Sequence, residues 1–473
     1  MKCSFIFVIL LKSLHFMINY QSANQLTFEE FITPFHAKLD ATNRWVKASS
    51  LVPWDELVSL YCRSFSSDRG RPSINPRHII GAMIIKHKKN LSDKDTLSAI
   101  QENPYMQFFC GVNEFQTEPL FSDSLFVQVR KRMSLEMWDQ FNKNIMQAAG
   151  VAPAKPKKKG ANAGKLAIDA SANDQYIRYP TDIGLVDHAR RWSETLMDEI
   201  YVKGPFEVGE KPRNYRKKAH EEYLNIAKKK KKSKKELRKG IRRQLSYLRR
   251  NIENIEKMLY RVEHECGFFP LSRVSQRYLW VIRTLYDQQR YMYKNKTNRC
   301  DHRIVSLEQP HVRPIVRGKD KAPVEFGSKV SFALTGGFFR IDRLSWEAFN
   351  EAVDLPTQVE AYKEIHGHYP ELVQADQIYA TQNNRQYLKE RGIRLTASKQ
   401  GRPGKEGQSQ YQKKKAKEEK KGRNAIEGKI GEGKQQYNMN RIRAKLPNTS
   451  ESWIGAITFT MNLWQALRLV GSG

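Results

Sequence analysis

The chain is 473 residues long and carries 82 Lys plus Arg against 50 Asp plus Glu, a formal net charge of +32 at pH 7. That length exceeds one ordinary domain and suffices to bury several cores without disulfide or metal support. Hydrophobic residues at 40% and aromatics at 11% exclude a disordered chain. The cationic excess calls for a polyanionic partner, with a membrane surface the weaker candidate because the charge lies largely in blunt polar runs.

The cysteines (Cys3, Cys62, Cys110, Cys266, Cys300) form no C-x-x-C pair, so neither a zinc finger nor a disulfide framework is legible, and a reducing compartment fits. Lys2 followed by the apolar run Cys3 to Leu11 is similar to a secretory leader, but Lys12 interrupts it and no small-x-small cleavage site follows. The alternative is a translation start at Met17, so residues 1–25 are set apart as an N-terminal extension. No stretch reaches the length of a membrane span.

Residues 26–150 show helical periodicity broken by polar turns. Pro76 opens one helix, Ser92-Asp93-Lys94-Asp95 caps a second, and Ser122-Asp123-Ser124 precedes a third that carries Phe126, Val127, Arg130, Lys131 and Arg132. Short helices ending on a basic one suit a helix-turn-helix DNA reader, with Arg130 and Arg132 facing DNA, and a plain helical bundle fits the pattern equally. Residues 151–165 are rich in Pro, Lys, Gly and Ala and read as a linker.

A strand over 165–170 (KLAIDA) and a helix over 182–201 follow. Residues 211–250 then hold 18 Lys or Arg and three Glu, a local charge of +15. Interspersed Leu224, Ile226, Leu237, Ile241, Leu245 and Leu248 predict that the run continues as helices, to about residue 300. Strand signals return at Ile304-Val305, 312–316, 329–334 and 338–344, the last two joined by Thr335-Gly336-Gly337 as a hairpin. A helix (356–366), a strand (371–376), a helix (383–391) and a strand (394–397) complete an α/β order. Residues 398–422 are of low complexity and read as a mobile basic loop before helices at about 423–443 and 450–468.

Asp169 and Asp376 end apolar strands, where ligands gather in α/β sheets. Arg423, Glu427 and Lys434, at helical offsets of four and seven, share one helix face. Taken singly each has a plainer reading, as a turn residue or a solvated i, i+4 pair, and Asp174, Asp182 and Glu432 are rivals by spacing.

The ordered motifs are more specific. Ile168-Asp169-Ala170 is followed by Arg178-Tyr179-Pro180-Thr181-Asp182, Arg313-Pro314-Ile315-Val316-Arg317-Gly318-Lys319 and Glu325-Phe326-Gly327-Ser328-Lys329. Then come Ala375-Asp376-Gln377-Ile378-Tyr379 with Asn384, and Arg423-Asn424-Ala425-Ile426-Glu427-Gly428 through to Thr449-Ser450. Over residues 30–465 the chain resembles the DDE-class transposases of bacterial insertion sequences, in particular the IS-five-type group with a helical N-terminal domain.

The resemblance implies an RNase H-like α/β catalytic core over 166–470, with a helical basic insertion at about 205–300, preceded by an all-α DNA-binding domain. It places metal-binding carboxylates at Asp169, Asp376 and Glu427. The family signature Tyr-x2-Arg-x3-Glu-x6-Lys is met by Arg423, Glu427 and Lys434, with Lys420 standing at the Tyr position.

Three carboxylates suit two Mg²⁺ (or Mn²⁺) ions about 3.5 to 4 Å apart, activating one oxygen and stabilising another in phosphodiester exchange. Asp169 is then the bridging ligand, with Arg423 and Lys434 on phosphate oxygens. The implied partners are double-stranded DNA, as element ends and target, and a second copy of the chain in a homodimer. Lys228, Lys229, Lys230, Lys231 and Lys232 are assigned to DNA phosphates, no membrane is involved, and the location is cytoplasmic and nucleoid-associated. The other reading is a DNA-binding protein derived from a transposase whose nuclease has decayed. Trp453 and Trp464 are assigned to the core.

Overall fold

A computed structural model of the chain describes residues 31, 33, 38–63, 73–150, 156, 161–316, 324–397 and 410–471. The leader-like segment, Met17, most of the 151–165 linker, Arg317-Gly318-Lys319 and the 398–409 part of the expected loop lie outside the described residues. The chain forms two units, one built from residues up to Asp174 with Lys329–Ser345 and Phe349 onward, the other from Gln175–Ser328 with Trp346–Ala348.

The first unit begins with α1 (Arg44–Leu51), α2 (Trp54–Cys62), α3 (Pro76–Lys89), α4 (Asp93–Gln101), α5 (Pro104–Phe109), α6 (Leu125–Arg132) and α7 (Leu135–Ala148). Local chemistry explains their starts. Asn75 caps α3 with Pro76 in its first turn, and the Ser92 hydroxyl accepts the Asp95 N–H at the start of α4. At α6 the expected cap is not formed, because the Ser122 and Ser124 hydroxyls bond each other at 2.7 Å.

These helices pack on α15 (Pro447–Val470), whose interior positions are buried on all sides. Trp45, Trp54, Trp138, Phe109, Phe126 and Phe141 share one core with Ala456, Phe459 and Leu463 of α15. An element apolar all round must lie between layers. Polar links fix its register: the Trp138 indole N–H donates to Ser452 Oγ at 3.0 Å, and the Asn462 amide donates to Asn142 Oδ1 at 2.8 Å and to the Phe339 carbonyl at 2.7 Å. Trp453 is buried and Trp464 packs edge-on against Trp45, so both belong to the core as expected.

The sheet of this unit comprises β1 (Lys165–Asp174), β3 (Val324–Thr335, from Lys329), β4 (Phe338–Ser345), β5 (Leu372–Gln374) and β6 (Arg394–Leu395), in the order β4-β3-β1-β5-β6. β1 and β5 are parallel, with Leu166 opposite Val373 and Ala167 opposite Gln374, and β5 is parallel to β6. β3 and β4 form the expected hairpin, with Gly336 and Gly337 at φ +58° and +86°, as a two-residue turn with two positive φ angles demands.

Alternation divides the faces. Ala167, Val330, Phe332 and Leu334 pack against Ile426 and Ile430 of α14 (Gln410–Gln436) and Ile457 of α15, while Leu166, Ile168 and Ala333 pack against α12 (Leu355–His366) and α13 (Gln382–Glu390). The sheet is therefore covered on both faces, a mixed α/β architecture. The expected mobile loop is revised, since from Gln410 onward the backbone is already helical and continuous with the segment bearing Glu427.

The second unit holds α8 (Asp182–Lys203), α9 (Arg216–Ala227), α10 (Lys234–Cys266) and α11 (Arg273–Asn295), with β2 (Arg313–Val316) paired antiparallel to the first residues of β3. The amphipathic α10 starts on a Ser233/Glu236 capping box and ends at Gly267 with φ +66°. Its apolar stripe (Leu245, Leu248, Ile252, Ile255, Leu259) meets α8 and α11. Buried Arg190 is fully neutralised by Asp187 at 2.7 Å and Glu194 at 2.5 Å. Ile304-Val305, read as a strand from its apolar character, is not one. Ile304 instead joins the helical core with Leu307, which accounts for its apolar character without a sheet partner.

Candidate active site

β1 is longer than its sequence pattern suggests, so Asp169 lies within the strand and not at its end. Its position remains special because the pairing with β5 covers Lys165 to Ala167, which leaves Asp169 two residues past the last paired rung. The period of two puts Asp169 on the same face as Ala167, which packs against α14. Asp376 lies two residues past the end of β5 and caps the short 3₁₀ turn Gln377–Tyr379, accepting the Gln377 N–H at 2.7 Å.

Helix α14 reaches these strands through a close approach at Gly422. A Cβ there would fall 2.1 Å from Gln374 Nε2 of β5, so no larger residue fits without displacement. The same Gln374 amide donates to the Glu419 carbonyl at 2.8 Å, and Arg394 of β6 pairs with the Glu419 carboxylate. The next residue, Arg423, is thereby set beside Asp376. Its guanidinium bonds Asp376 Oδ1 at 2.9 Å and Glu427 Oε1 at 2.8 Å, one nitrogen to each.

The Asp169 carboxyl is pushed up to about 6 from an ordinary 3.8. Burial is the leading cause, the Ala170 N–H opposes it, the Glu351 and Glu427 carboxylates add to it, and Arg423 counters. Asp169, Asp376, Glu427 and Arg423 are thus brought into one neighbourhood. Lys434 lies two turns further along α14 and is half-buried, about 10 Å from Glu427 along the axis by helical rise.

Two of the three rivals are accounted for elsewhere. Glu432 pairs with Lys429 at 2.9 Å and Arg468 at 3.8 Å, and Asp182, in the second unit, pairs with Arg303 at 2.7 Å. Sequence reasoning missed Glu351, in the 3₁₀ turn Glu351–Asp354 that leads into α12. An acidic residue at the start of a helical segment is ordinary, so no sequence signal marked it.

Among the described residues no three Asp, Glu, His or Cys side chains converge as a ready metal cage. The donor chemistry nonetheless fits a hard divalent cation, since all three donors are carboxylate oxygens. Arg423 now supplies the positive charge between Asp376 and Glu427, while Asp169 is pushed up chiefly by its burial and further by the Glu351 and Glu427 carboxylates.

Of the residues expected to contact DNA, Lys228 to Lys232 form the exposed connection between α9 and α10, and Lys229 pairs with Glu236 at 2.7 Å. Arg130 is a correction. It is 5% exposed, bonds both oxygens of Asp93 at 2.9 and 2.7 Å and lies over the Trp453 ring, so its charge is spent internally. Arg132, two residues on, is exposed and neighbours the Tyr61 hydroxyl. Cys62, Cys110, Cys266 and Cys300 are free thiols, and no helix among the described residues is long and apolar enough to cross a membrane.

Comparison with known proteins finds two transposase family models on this chain. Residues 373–464, which contain Asp376, Arg423 and Glu427, match the family model described as a transposase DDE domain, and residues 33–132 match a second transposase domain, DUF772. The chain is 29% identical over 153 residues to the uncharacterised protein ORF8 in the nfe locus of Rhizobium meliloti, covering 31% of this chain and 72% of that protein. No solved structure matches. Two transposase family models, one on the N-terminal helices and one over the stretch that holds Asp376, Arg423 and Glu427, thus support a DDE transposase of the bacterial insertion-sequence kind.

Proposed function

We propose that this transposase binds the terminal inverted repeats of its element, cleaves the element ends and joins them to target DNA at the Asp169–Asp376–Glu427 site, on an RNase H-like core. The observation that carries the reading is Arg423 joining Asp376 and Glu427 on the sheet face from which Asp169 projects. Parallel β1 and β5 supply the two aspartates and α14 the glutamate, so the acids come from three distant stretches of sequence. Such convergence of charge is costly unless chemistry uses it.

Asp169, Asp376 and Glu427 would hold two Mg²⁺ or Mn²⁺ ions. When bound, these ions supply charge neutralisation, activation of the attacking oxygen and stabilisation of the leaving one. Arg423 is then free to turn its planar guanidinium to a phosphate, and Lys434 acts as a point charge further along the strand path. No covalent protein intermediate is required. Lys228 to Lys232 and Arg132 contact the DNA backbone, and two copies of the chain bridge the two element ends.

The test is a labelled duplex bearing the element's own ends, incubated with Mg²⁺ and either wild type or Asp376→Ala. Wild type is expected to bind and nick, the variant to bind only. Binding without nicking by either protein would overturn the nuclease reading in favour of a decayed, DNA-binding descendant.

A further inference from the structure

Tyr379 closes the 3₁₀ turn that Asp376 caps, and its hydroxyl is fully buried with no hydrogen-bond partner. Four carboxylates crowd it: after burial itself, Glu351, Asp169, Asp354 and Asp342 all push its hydroxyl up. Two of these acids have dedicated partners. Asp354 takes Arg343 at 2.7 Å and the Ser331 hydroxyl at 2.6 Å, and Asp342 takes Arg340 at 2.5 Å and the Gln358 amide at 2.9 Å.

The other two are far less satisfied. Asp169 accepts the Ala170 N–H at 2.8 Å, and the ion-pair partner of Glu351 is Lys329 Nζ at 3.5 Å, an ammonium that already donates to the Phe349 carbonyl at 2.8 Å. A buried hydroxyl left unmatched beside two under-neutralised carboxylates marks a place suited to a cation.

The backbone fixes Glu351 relative to the site. The buried Asn384 amide donates to the Ala352 carbonyl at 2.7 Å and to the Tyr379 carbonyl at 2.9 Å, stapling the turn after Glu351 to the turn after Asp376. The Asn350 side chain accepts the Ala352 N–H at 3.1 Å and sets where that turn begins. Leu355, which follows the turn, packs in one cluster with Tyr379 and with Ile168, the neighbour of Asp169.

We propose that Glu351 is a fourth carboxylate ligand of the divalent-metal centre, held in register with Asp376 by the Asn384 staple. This rests on the metal-dependent reading of the site given above. Lys329 supplies positive charge to Glu351 in the metal's stead and yields it when the cation binds.

The test reads binding and not activity: Mn²⁺ is titrated into the full-length protein and free Mn²⁺ is followed by electron paramagnetic resonance. Glu351→Gln is expected to weaken Mn²⁺ binding about tenfold or more, on the scale of losses at metal-supporting positions. Glu364→Gln, an exposed acid on α12, is expected to bind like wild type.

Glu351→Gln binding as tightly as wild type while Asp169→Asn loses the metal overturns the role of Glu351 and leaves the main reading standing. Asp169→Asn binding like wild type, or no Mn²⁺ binding by wild type, overturns both. Should Glu351→Gln fail to fold by circular dichroism, Glu351→Asp keeps the charge beside Lys329 but withdraws the oxygens by one methylene. It is then expected to bind several-fold more weakly, and unchanged affinity would sink the proposal.

Discussion

The acidic site of the first unit and the basic helices of the second treat charge in opposite ways. Around Asp169, like charges are gathered and partly buried, and the carboxyl is pushed up to about 6, a stored cost. Along α9 and α10 the cations project into solvent beside local glutamates, as in Lys229–Glu236 at 2.7 Å and Arg243–Glu222 at 3.3 Å. Exposed pairs of that kind contribute little to stability. Surface charge can therefore accumulate at small cost to the fold, whereas each acid in the site must be held there by strands, turns and α14. Residues 211–250 carry +15 of the net +32 on exposed helices and their connection, while the acids of the first unit are gathered and partly buried.

The largest effect expected from this contrast is on activity. Glu427→Gln preserves shape but removes a carboxylate from the Arg423 bridge, and strand cleavage on end-bearing duplex should fall by at least about 10³-fold while DNA binding persists. Retained cleavage would show that the acids are structural.

Next comes a gain in stability. The folded Asp169 carboxyl titrates near 6 against an ordinary 3.8, so the folded state holds that proton more tightly. Its contribution is fully present below about 3.8 and is lost as the pH rises through about 6. Asp169→Asn should therefore be more stable than wild type at neutral pH, by at most about 3 kcal/mol, with the difference vanishing toward pH 4. Paired denaturant melts across that range check the sign, and a destabilised variant at neutral pH contradicts it.

A somewhat smaller loss is expected at Arg130. Arg130→Ala removes one of the two cations on Asp93, Lys86 being the other at 2.9 Å, and should cost about 2 kcal/mol with an unchanged salt dependence of DNA binding. A reduced salt slope would return Arg130 to the DNA interface.

Replacing Lys228 to Lys232 by Gln should do the reverse. Unfolding should shift by no more than about 0.5 kcal/mol, while the slope of log affinity against log salt falls by about 0.9 for each phosphate that is no longer neutralised. An unchanged slope in filter-binding titrations would exclude this connection from the DNA path.

Much of the molecule was legible from local pattern. The Gly336-Gly337 hairpin, the capped starts of α3 and α4, the strands bearing Asp169 and preceding Asp376, and the helix with Arg423 and Glu427 all follow from residue spacing over a few positions. Failures came where a residue's role depends on a distant partner. Ile304 looked like strand because apolar character is the same against a sheet or a helix core. Arg130 looked like a DNA contact because nothing near it in sequence announces Asp93 or Trp453. Residues 398–422 looked mobile by composition, yet from Gln410 the backbone is helix, running into the segment that docks on β5 through Gly422.

Composition and short-range periodicity, being properties of neighbouring residues, were enough to assign the charge to blocks and most helices and strands to their stretches, while the choice of three acids among their rivals came from the family resemblance. Which charges are neutralised was settled only by folding, because Coulomb and hydrogen-bond partners are set by distance in space. Packing of α14 on β5 brings Arg423 to Asp376, and the Asn384 staple brings Glu351 within the same field. Carboxylates 25 to 258 positions apart along the chain thus act on one another because the pairing of β1 with β5 and the docking of α14 on β5 bring their segments together.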